Sequence, residues 1–511
     1  MPFPLLYEIN TRCWLRQLST GQGREITLAT VPDSEFTRWQ QLGFTHLWLM
    51  GVWTTGPRSR AVSLQSEDLR RESCENLAGH GEEEIAGSPY AIAGYRVPQA
   101  LGGDIALQAF RRRLHERGIR LILDFVPNHV GLDHPWVSEQ PDIFVQSPAE
   151  MPGTFAQESG VCVRWLAHGR DPHFPPWADT AQLDYRRTVT RAAMLESVLD
   201  IAAKCDGLRC DMAMLVLNEV FAKTWAQFPS LKFGVPPSGG GASEPPEGGT
   251  PSCTSEFWQD AIAATKRTHP DFLFLGEVYW GLEERLQSLG FDYTYDKELY
   301  DALIRRNPAG VQQHILTATA QSVAAGVHFL ENHDEARIAS VLSPAEHRAA
   351  ALLILSLPGM RLLHDGQLEG ARIKIPVQLL RCQAEPSRKD IGQMYQQMLV
   401  TLQKTAVGRG NAVILKPLEA RAGNPTVQNF VIVQWQAEPP DFDLAVVNLA
   451  PHRSQCYAGL RIGNLADHTW LMRDLLGSKA CRNSGSDLRK QGLYLDLPEH
   501  GAQLFHFQPV A

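Results

Sequence analysis

Four short segments of this chain place ionisable side chains in apolar surroundings. In GLRCDMAM (207–214), Arg209 and Asp211 stand two residues apart in a strand-like run. Side chains at i and i+2 of a strand share a face, so guanidinium and carboxylate point one way and Cys210 the other. Two charges on one buried face are costly unless they are paired or put to use. DFVPNH carries Asp124, Asn128 and His129, GEVYW carries Glu277, and ENHDEAR carries Glu331, His333, Asp334 and Arg337. Taken singly, each has a plain structural reading: an ion pair, a capping aspartate, a core histidine, a surface glutamate. Taken together, they offer converging carboxylates with an arginine and two histidines. Cleavage of a glycosidic bond uses such a set, one carboxylate attacking the anomeric carbon and another protonating the leaving oxygen. The attacker must stay ionised and the donor must hold its proton. Arg209, on the face of Asp211, is expected to keep it charged. Glu277, beside Val278, Tyr279 and Trp280, has the more apolar setting that favours a protonated acid. Asp334 is left as a third carboxylate near an oxocarbenium-like transition state.

These segments must be brought together by the elements that carry them. Apolar runs read as buried strands at LLYEIN (5–10), THLWLM (45–50), IRLILDF (119–125), DGLRCDM (206–212), FLFLGEV (272–278), FDYTYD (291–296), GVHFLEN (326–332) and MRLLHDG (360–366). Amphipathic stretches of helical period lie between them, such as IALQAFRRRLHERG (105–118) and VTRAAMLESVLDIAAKC (189–205). Strand alternating with helix predicts parallel strands with crossover helices. Eight of them suit an α/β fold of the (β/α)8 TIM-barrel type, whose functional groups gather at the C-terminal strand ends. All four segments lie at such ends. A doubly wound open sheet is the alternative, but no Gly-rich phosphate loop accompanies it.

The strand spacing predicts three units. Residues 1–130 and 183–400 read as the barrel. Residues 131–182, rich in Pro, His, Trp and Asp, read as an irregular insertion, domain B, after the third strand. Residues 405–511, with VIVQW, FDLAVVNLA, TWLMRDLL, GLYLDLP and AQLFHFQP and no helical window between them, read as a C-terminal antiparallel β-sandwich. Residues 58–87 form a long polar insertion, and GVPPSGGGASEPPEGGTPS (234–252) cannot bury a core.

The segments together resemble the α-amylase family, glycoside hydrolase family 13. DFVPNH, GLRCDMA, GEVYW and ENHD are similar to its four sequence blocks, in order and on the same strands. TAQLDY (180–185), SPYAIAGY (88–95) and LLHDGQLEG (362–370) resemble three further family segments, so the likeness covers nearly the whole chain. The resemblance implies Asp211 as nucleophile, Glu277 as acid/base and Asp334 as transition-state stabiliser. It implies that Arg209 orients Asp211, that His129 and His333 bind hydroxyls of the sugar at the cleavage point, that Asp124 supports the site from behind, and that Tyr90 is a stacking platform. Trp280 is expected as a second platform and Arg337 to reach the site, although a salt bridge to a neighbouring acid is an equal reading of Arg337. Trp53, Trp136, Trp165 and Trp177 are expected in the core.

The implied activity is retaining hydrolysis of α-1,4-glucosidic bonds in starch, glycogen or maltooligosaccharides. The alternatives are glucan transfer through the same covalent intermediate and a non-catalytic carbohydrate-binding relative. Met214 and Leu215 stand where many family amylases carry Lys-His. This departure leaves the acceptor subsites open, and with them the family's calcium site, which uses a backbone group there. Asn128 matches a calcium ligand of the family, but 131–182 has no acidic cluster to complete a site. No metal site is therefore assigned, no cofactor is expected as a requirement, and a structural calcium stays open. Ala91, where exo-acting relatives carry Asp, points to an open cleft.

A net charge of −8 argues against a general nucleic-acid partner. Nine cysteines without a CxxC pair support neither a disulfide framework nor a zinc ribbon. Reduced thiols, the absence of a basic and apolar leader, and the absence of an apolar run of spanning length predict a cytoplasmic protein without a membrane segment.

Overall fold

The computed structural model describes residues 2–77, 79, 81–159, 162–228 and 255–510. Eight strands close into a parallel barrel in chain order: β1 (Leu5–Asn10), β2 (His46–Met50), β3 (Arg120–Phe125), β4 (Gly207–Cys210), β5 (Leu273–Gly276), β6 (Tyr293–Tyr295), β7 (Gly326–Phe329) and β8 (Met360–His364). Every apolar run read as a strand holds one of them. Side chains alternate between two cores, as the period of two requires. Leu6, Trp48, Met50, Ile122, Leu275, Tyr295, Val327, Phe329 and Leu362 pack inside the barrel. Leu5, Tyr7, Ile9, Leu47, Leu49, Leu121, Leu123, Leu208, Cys210 and Phe274 pack outward under the helices. With Leu208 and Cys210 in the outer core, Arg209 is turned inward, where its Cα pairs with Asp124 on β3 and Leu275 on β5.

The insertion after β3 is more regular than expected. Gln146–Ser147, Thr154–Ser159 and Cys162–Ala167 form an antiparallel sheet, and Thr180–Gln182 pairs with His129–Gly131. Its longer strands, TFAQES and CVRWLA, interrupt apolar residues with polar and charged ones, so no continuous apolar run marks them in the sequence. The polar stretch 58–87 lies mostly in two helices, Pro57–Gln65 and Glu67–Asn76. Leu64 and Leu69 from these helices, with Leu77 just beyond the second, join Ile85, Ile375, Leu379 and Cys382 in a small separate core. This core ties the stretch to the segment after β8, with Ala86 N–H donating to Gln378 O at 2.8 Å. The Pro/Gly/Ser segment 234–252 lies outside the described residues.

The C-terminal sandwich pairs a six-stranded antiparallel sheet with a three-stranded one. Along Phe430–Gln436, Phe430 and Ile432 face the sandwich core, while Val431, Val433 and Trp435 face the barrel. Both faces are covered, which is why FVIVQW reads as apolar throughout. One helix, Gly485–Gln491, intervenes where none was expected; its start is a Ser484 cap that accepts from Asp487 N–H. The helix Pro344–Ser356 links barrel and sandwich. It begins with a capping box of Ser343 and Glu346 and is buried on nearly all sides. No described helix is long and apolar enough to cross a membrane.

Candidate active site

The inward face of β4 brings Arg209 to the axis of the barrel, wholly buried, with its guanidinium 5.2–5.6 Å from the ring centres of Trp48, Tyr90 and Tyr295. Nη1 lies 2.6 Å from Asp211 Oδ1, and Nη2 lies 2.8 Å from Glu277 Oε2. One planar cation therefore holds two carboxylates from two strand ends.

The chain leaves β4 through Asp211, whose N–H donates to Phe125 O at 2.8 Å. Met212 then adopts the left-handed region at φ 40°, unusual for a side chain of its size. That turn aims the Met212 N–H at Glu277 Oε2, 2.8 Å away. Tyr279 O–H donates to Glu277 Oε1 at 2.6 Å. Glu277 therefore sits among three polar contacts, not in the apolar setting read from its neighbours in sequence. Asp211 departs from expectation in the other direction. Burial pushes it up to about 7, with the charge of Glu277 adding and Arg209 opposing.

Asp334 faces the same cavity from the loop after β7, its side chain 47% exposed. Asn332 Oδ1 accepts from the N–H groups of Asp334 and Glu335 at 2.9 and 3.0 Å, which fixes the turn. Burial would raise Asp334, but His333, Arg209 and Lys374 outweigh it and hold the carboxyl below its ordinary range. His333 Nε2 lies 3.0 Å from Asp334 Oδ2, and its Nδ1 lies 2.5 Å from Glu8 Oε1. Burial lowers His333, yet Asp334 and Glu8 prevail and lift it to about 10, so it is an imidazolium at neutral pH. Tyr90 stacks on this ring at 5.5 Å and its hydroxyl reaches Nε2 at 2.7 Å. Lys374 Nζ donates to the Asp334 carbonyl from the segment after β8.

The other predicted residues divide. His129 lines the cavity against Trp177, and burial holds it down to about 4, hence neutral. Asp124 lies behind Arg209, outside the cavity lining, accepting from Trp48 Nε1 at 2.9 Å and Gly51 N–H at 2.7 Å; burial lifts it to about 6. Trp280 is 44% exposed on the cavity rim, with φ 67° and His173 against its edge at 5.0 Å. Arg337 does not face the cavity. Its guanidinium is taken by Glu331 at 2.7 Å, His364 Nδ1 at 2.9 Å and Asp365 O at 2.6 Å, so the salt-bridge reading holds and the site reading does not. Met214 and Leu215 are buried in a tight turn and turn inward, and Ala91 is buried away from the cavity.

The cavity encloses about 960 Å³, and its lining includes Tyr90, His129, Asp211, Met212, Glu277, Tyr279, Trp280 and Asp334. That is room for a ligand of several rings. Phe174, Trp177 and Tyr279 also line it, none of them expected there. Trp177, expected in the core, lines the cavity instead: it sits on the loop Phe-Pro-Pro-Trp, where no period marks which face a side chain takes. Glu8 was missed although its signal was available: a carboxylate inside the apolar run LLYEIN is as conspicuous as Asp211 in GLRCDM. With buried paired carboxylates, a third across the cavity and flat aromatic faces on the walls, the arrangement can bind a sugar ring, protonate a leaving oxygen and meet a cationic transition state.

The family model described as "Alpha amylase, catalytic domain" matches residues 39–398. Among curated proteins, the α-amylase MalA of Haloarcula japonica is 25% identical over 285 residues, 54% of this chain and 36% of that protein's length. Among solved structures, the α-amylase of Geobacillus thermoleovorans complexed with acarbose superposes with a TM-score of 0.65 at 16% identity, covering 99% of both chains. A debranching enzyme of Nostoc punctiforme superposes with a TM-score of 0.61 at 15% identity over 98% of both chains. At these identities the structural likeness is one of fold.

Proposed function

The chain belongs to the α-amylase family, and from that premise we propose that this glycosidase hydrolyses α-1,4-glucosidic bonds in α-glucans by double displacement. Asp211 attacks the anomeric carbon while Glu277 gives its proton to the leaving glycosidic oxygen, breaking the C–O bond and leaving a glycosyl ester on Asp211. Glu277, now ionised, takes a proton from water, whose oxygen attacks the anomeric carbon from the face opposite Asp211; the C–O bond to Asp211 breaks, its carboxylate is released and the original configuration is restored. The observation that carries this reading is the single guanidinium of Arg209 shared between Asp211 and Glu277. It sets the two carboxylates at a fixed separation, which for a retaining enzyme should be about 5–5.5 Å. It also lets negative charge pass from one carboxylate to the other without moving the cation. Asp334, kept ionised by His333, faces the developing positive charge on the sugar ring. Neutral His129 offers a donor to hydroxyls, whereas His333, both ring nitrogens of which are taken by Glu8, Asp334 and Tyr90, acts by holding Asp334 rather than by touching the sugar; Trp280 and Tyr90 offer flat faces to the apolar side of sugar rings.

A second reading, transfer to another glucan, draws support from the side of the cavity beyond Glu277. Met214 and Leu215 turn away from it, and the half-exposed Trp280 and the exposed Phe174 take up the rim. An apolar rim of that kind favours a sugar over water as acceptor.

The deciding experiment is a time course on maltoheptaose and on soluble starch, with Asp211→Asn as control. Shorter products with new reducing ends, formed first as the α-anomer by proton NMR, are expected. Longer and shorter products with few new reducing ends would establish transfer instead. An inverted anomer, or an active Asp211→Asn, would defeat the mechanism.

A further inference from the structure

We infer that the side-chain amide of Gln182 binds domain B to the barrel at the place where the family resemblance assigns a calcium ion, and that the seam therefore needs no metal. Gln182 is wholly buried and is Cα partner to His129 in the antiparallel pairing of Thr180–Gln182 with His129–Gly131. Its Nε2 donates to three oxygens: Asn128 O at 2.8 Å, Asn128 Oδ1 at 3.0 Å and Leu183 O at 3.1 Å. Three oxygens aimed at one point are what a hard cation would gather, and Asn128 is the residue that matches a family ligand.

The rest of the shell does not fit calcium. That ion takes about six to eight oxygens at about 2.3–2.6 Å, carboxylates prominent among them. Here the converging oxygens are two main-chain carbonyls and one amide, all at hydrogen-bond length. Among the described residues no group of three His, Cys, Asp or Glu side chains is placed to hold a metal. The Arg170 carbonyl is 3.5 Å from Asn128 Nδ2, so on that side Asn128 presents an amide donor and not a ligand oxygen.

The amide has two possible orientations, and each commits the seam. With Nε2 toward the three oxygens, protons meet acceptors, and Oε1 is left buried without a partner. Turned over, Oε1 would join three other oxygens with no proton among them, which is tenable only around a cation. The acceptors dictate the first orientation. The unpartnered Oε1 is what this arrangement gives up. Because His129 follows Asn128 directly and is paired with Gln182, the same amide holds a cavity-lining residue in place.

The test is thermal unfolding of the full chain, which needs no substrate and so stands apart from the proposed activity. The unfolding midpoint is measured in excess EGTA and in millimolar calcium chloride, for the native chain and for Gln182→Asp. A native midpoint equal in both within about 1 °C is expected, since a ligand that does not bind does not stabilise. Gln182→Asp, which sets a carboxylate among the three oxygens, should melt lower in EGTA and regain several degrees in calcium. A native midpoint that falls by several degrees in EGTA, or one tightly bound calcium per chain by equilibrium dialysis, would overturn the inference. So would a folded Gln182→Asp indifferent to calcium. If that variant does not fold, the measurements on the native chain still decide.

Discussion

Replacing Arg209 by lysine tests the site at its centre. The native guanidinium reaches Asp211 at 2.6 Å with one nitrogen and Glu277 at 2.8 Å with another. At an effective dielectric of about 20, each contact carries about 6 kcal/mol of gross Coulomb attraction. Desolvating three charges returns much of this, and removing one partner of a buried pair costs about 3–5 kcal/mol. A lysine ammonium keeps the charge but is a single point, not a fork, so one carboxylate keeps its cation and the other is left buried alone. We expect about 2–3 kcal/mol of stability to be lost, within the about 5–15 kcal/mol of an ordinary fold. If the same energy is missing from the transition state, kcat falls about 100-fold, while KM, set by the rings and hydroxyl donors on the walls, changes little. The abandoned carboxylate should also titrate higher, moving the acidic limb of the kcat profile to higher pH. The assay is steady-state kinetics on maltoheptaose across pH, with the unfolding midpoint measured in parallel. A folded Arg209→Lys with kcat within threefold of native and an unmoved pH profile would refute the idea that one cation organises both carboxylates.

Burial lifts Asp211 to about 7. A carboxyl raised in the folded state favours its protonated form, so its contribution to stability is full below the ordinary carboxylate range and is lost as pH rises through about 7. The denaturation midpoint of the native chain should fall from pH 5 to pH 8 relative to Asp211→Asn, and parallel curves would show Asp211 to be unperturbed. Trp280→Ala removes a half-exposed ring, so KM for maltoheptaose should rise about 10-fold with less than about 1 kcal/mol lost in stability; an unchanged KM would remove Trp280 from the sugar path. Arg337→Ala should do the reverse, costing about 3–5 kcal/mol by stranding buried Glu331 while the folded fraction keeps its KM; a KM effect without a stability effect would restore Arg337 to the site.

The barrel was legible because most of its strands are apolar on both faces and lie in continuous apolar runs, and because period two places Arg209 and Asp211 on one side. Residue types at strand ends then led to Asp211, Glu277 and Asp334, all of which line one cavity. What the sequence hid depends on contacts between distant segments. Glu277 is flanked in sequence by apolar residues, yet its polar contacts come from Arg209, Met212 and Tyr279 through a left-handed turn that nothing in DMAML announces. The burial that lifts Asp211 is likewise a property of the closed barrel. Arg337 was ambiguous because its partners, Glu331, His364 and Asp365, come from two strand ends. The strands of domain B and the helices of 57–76 were hidden for a simpler reason: polar and charged residues interrupt both too often for a period to show.

The helix Pro344–Ser356 has a further consequence. It is buried on nearly every side, with barrel residues against it and the sheet face of Val431, Val433 and Trp435 over it; Trp435 Nε1 donates to Ser356 O at 2.8 Å. A module that can be cut away leaves a polar surface behind, and this one would leave a greasy helix. The sandwich is therefore not a detachable appendage. The two bodies should melt as one cooperative transition, and a chain truncated near residue 405 should aggregate where the intact chain stays dispersed.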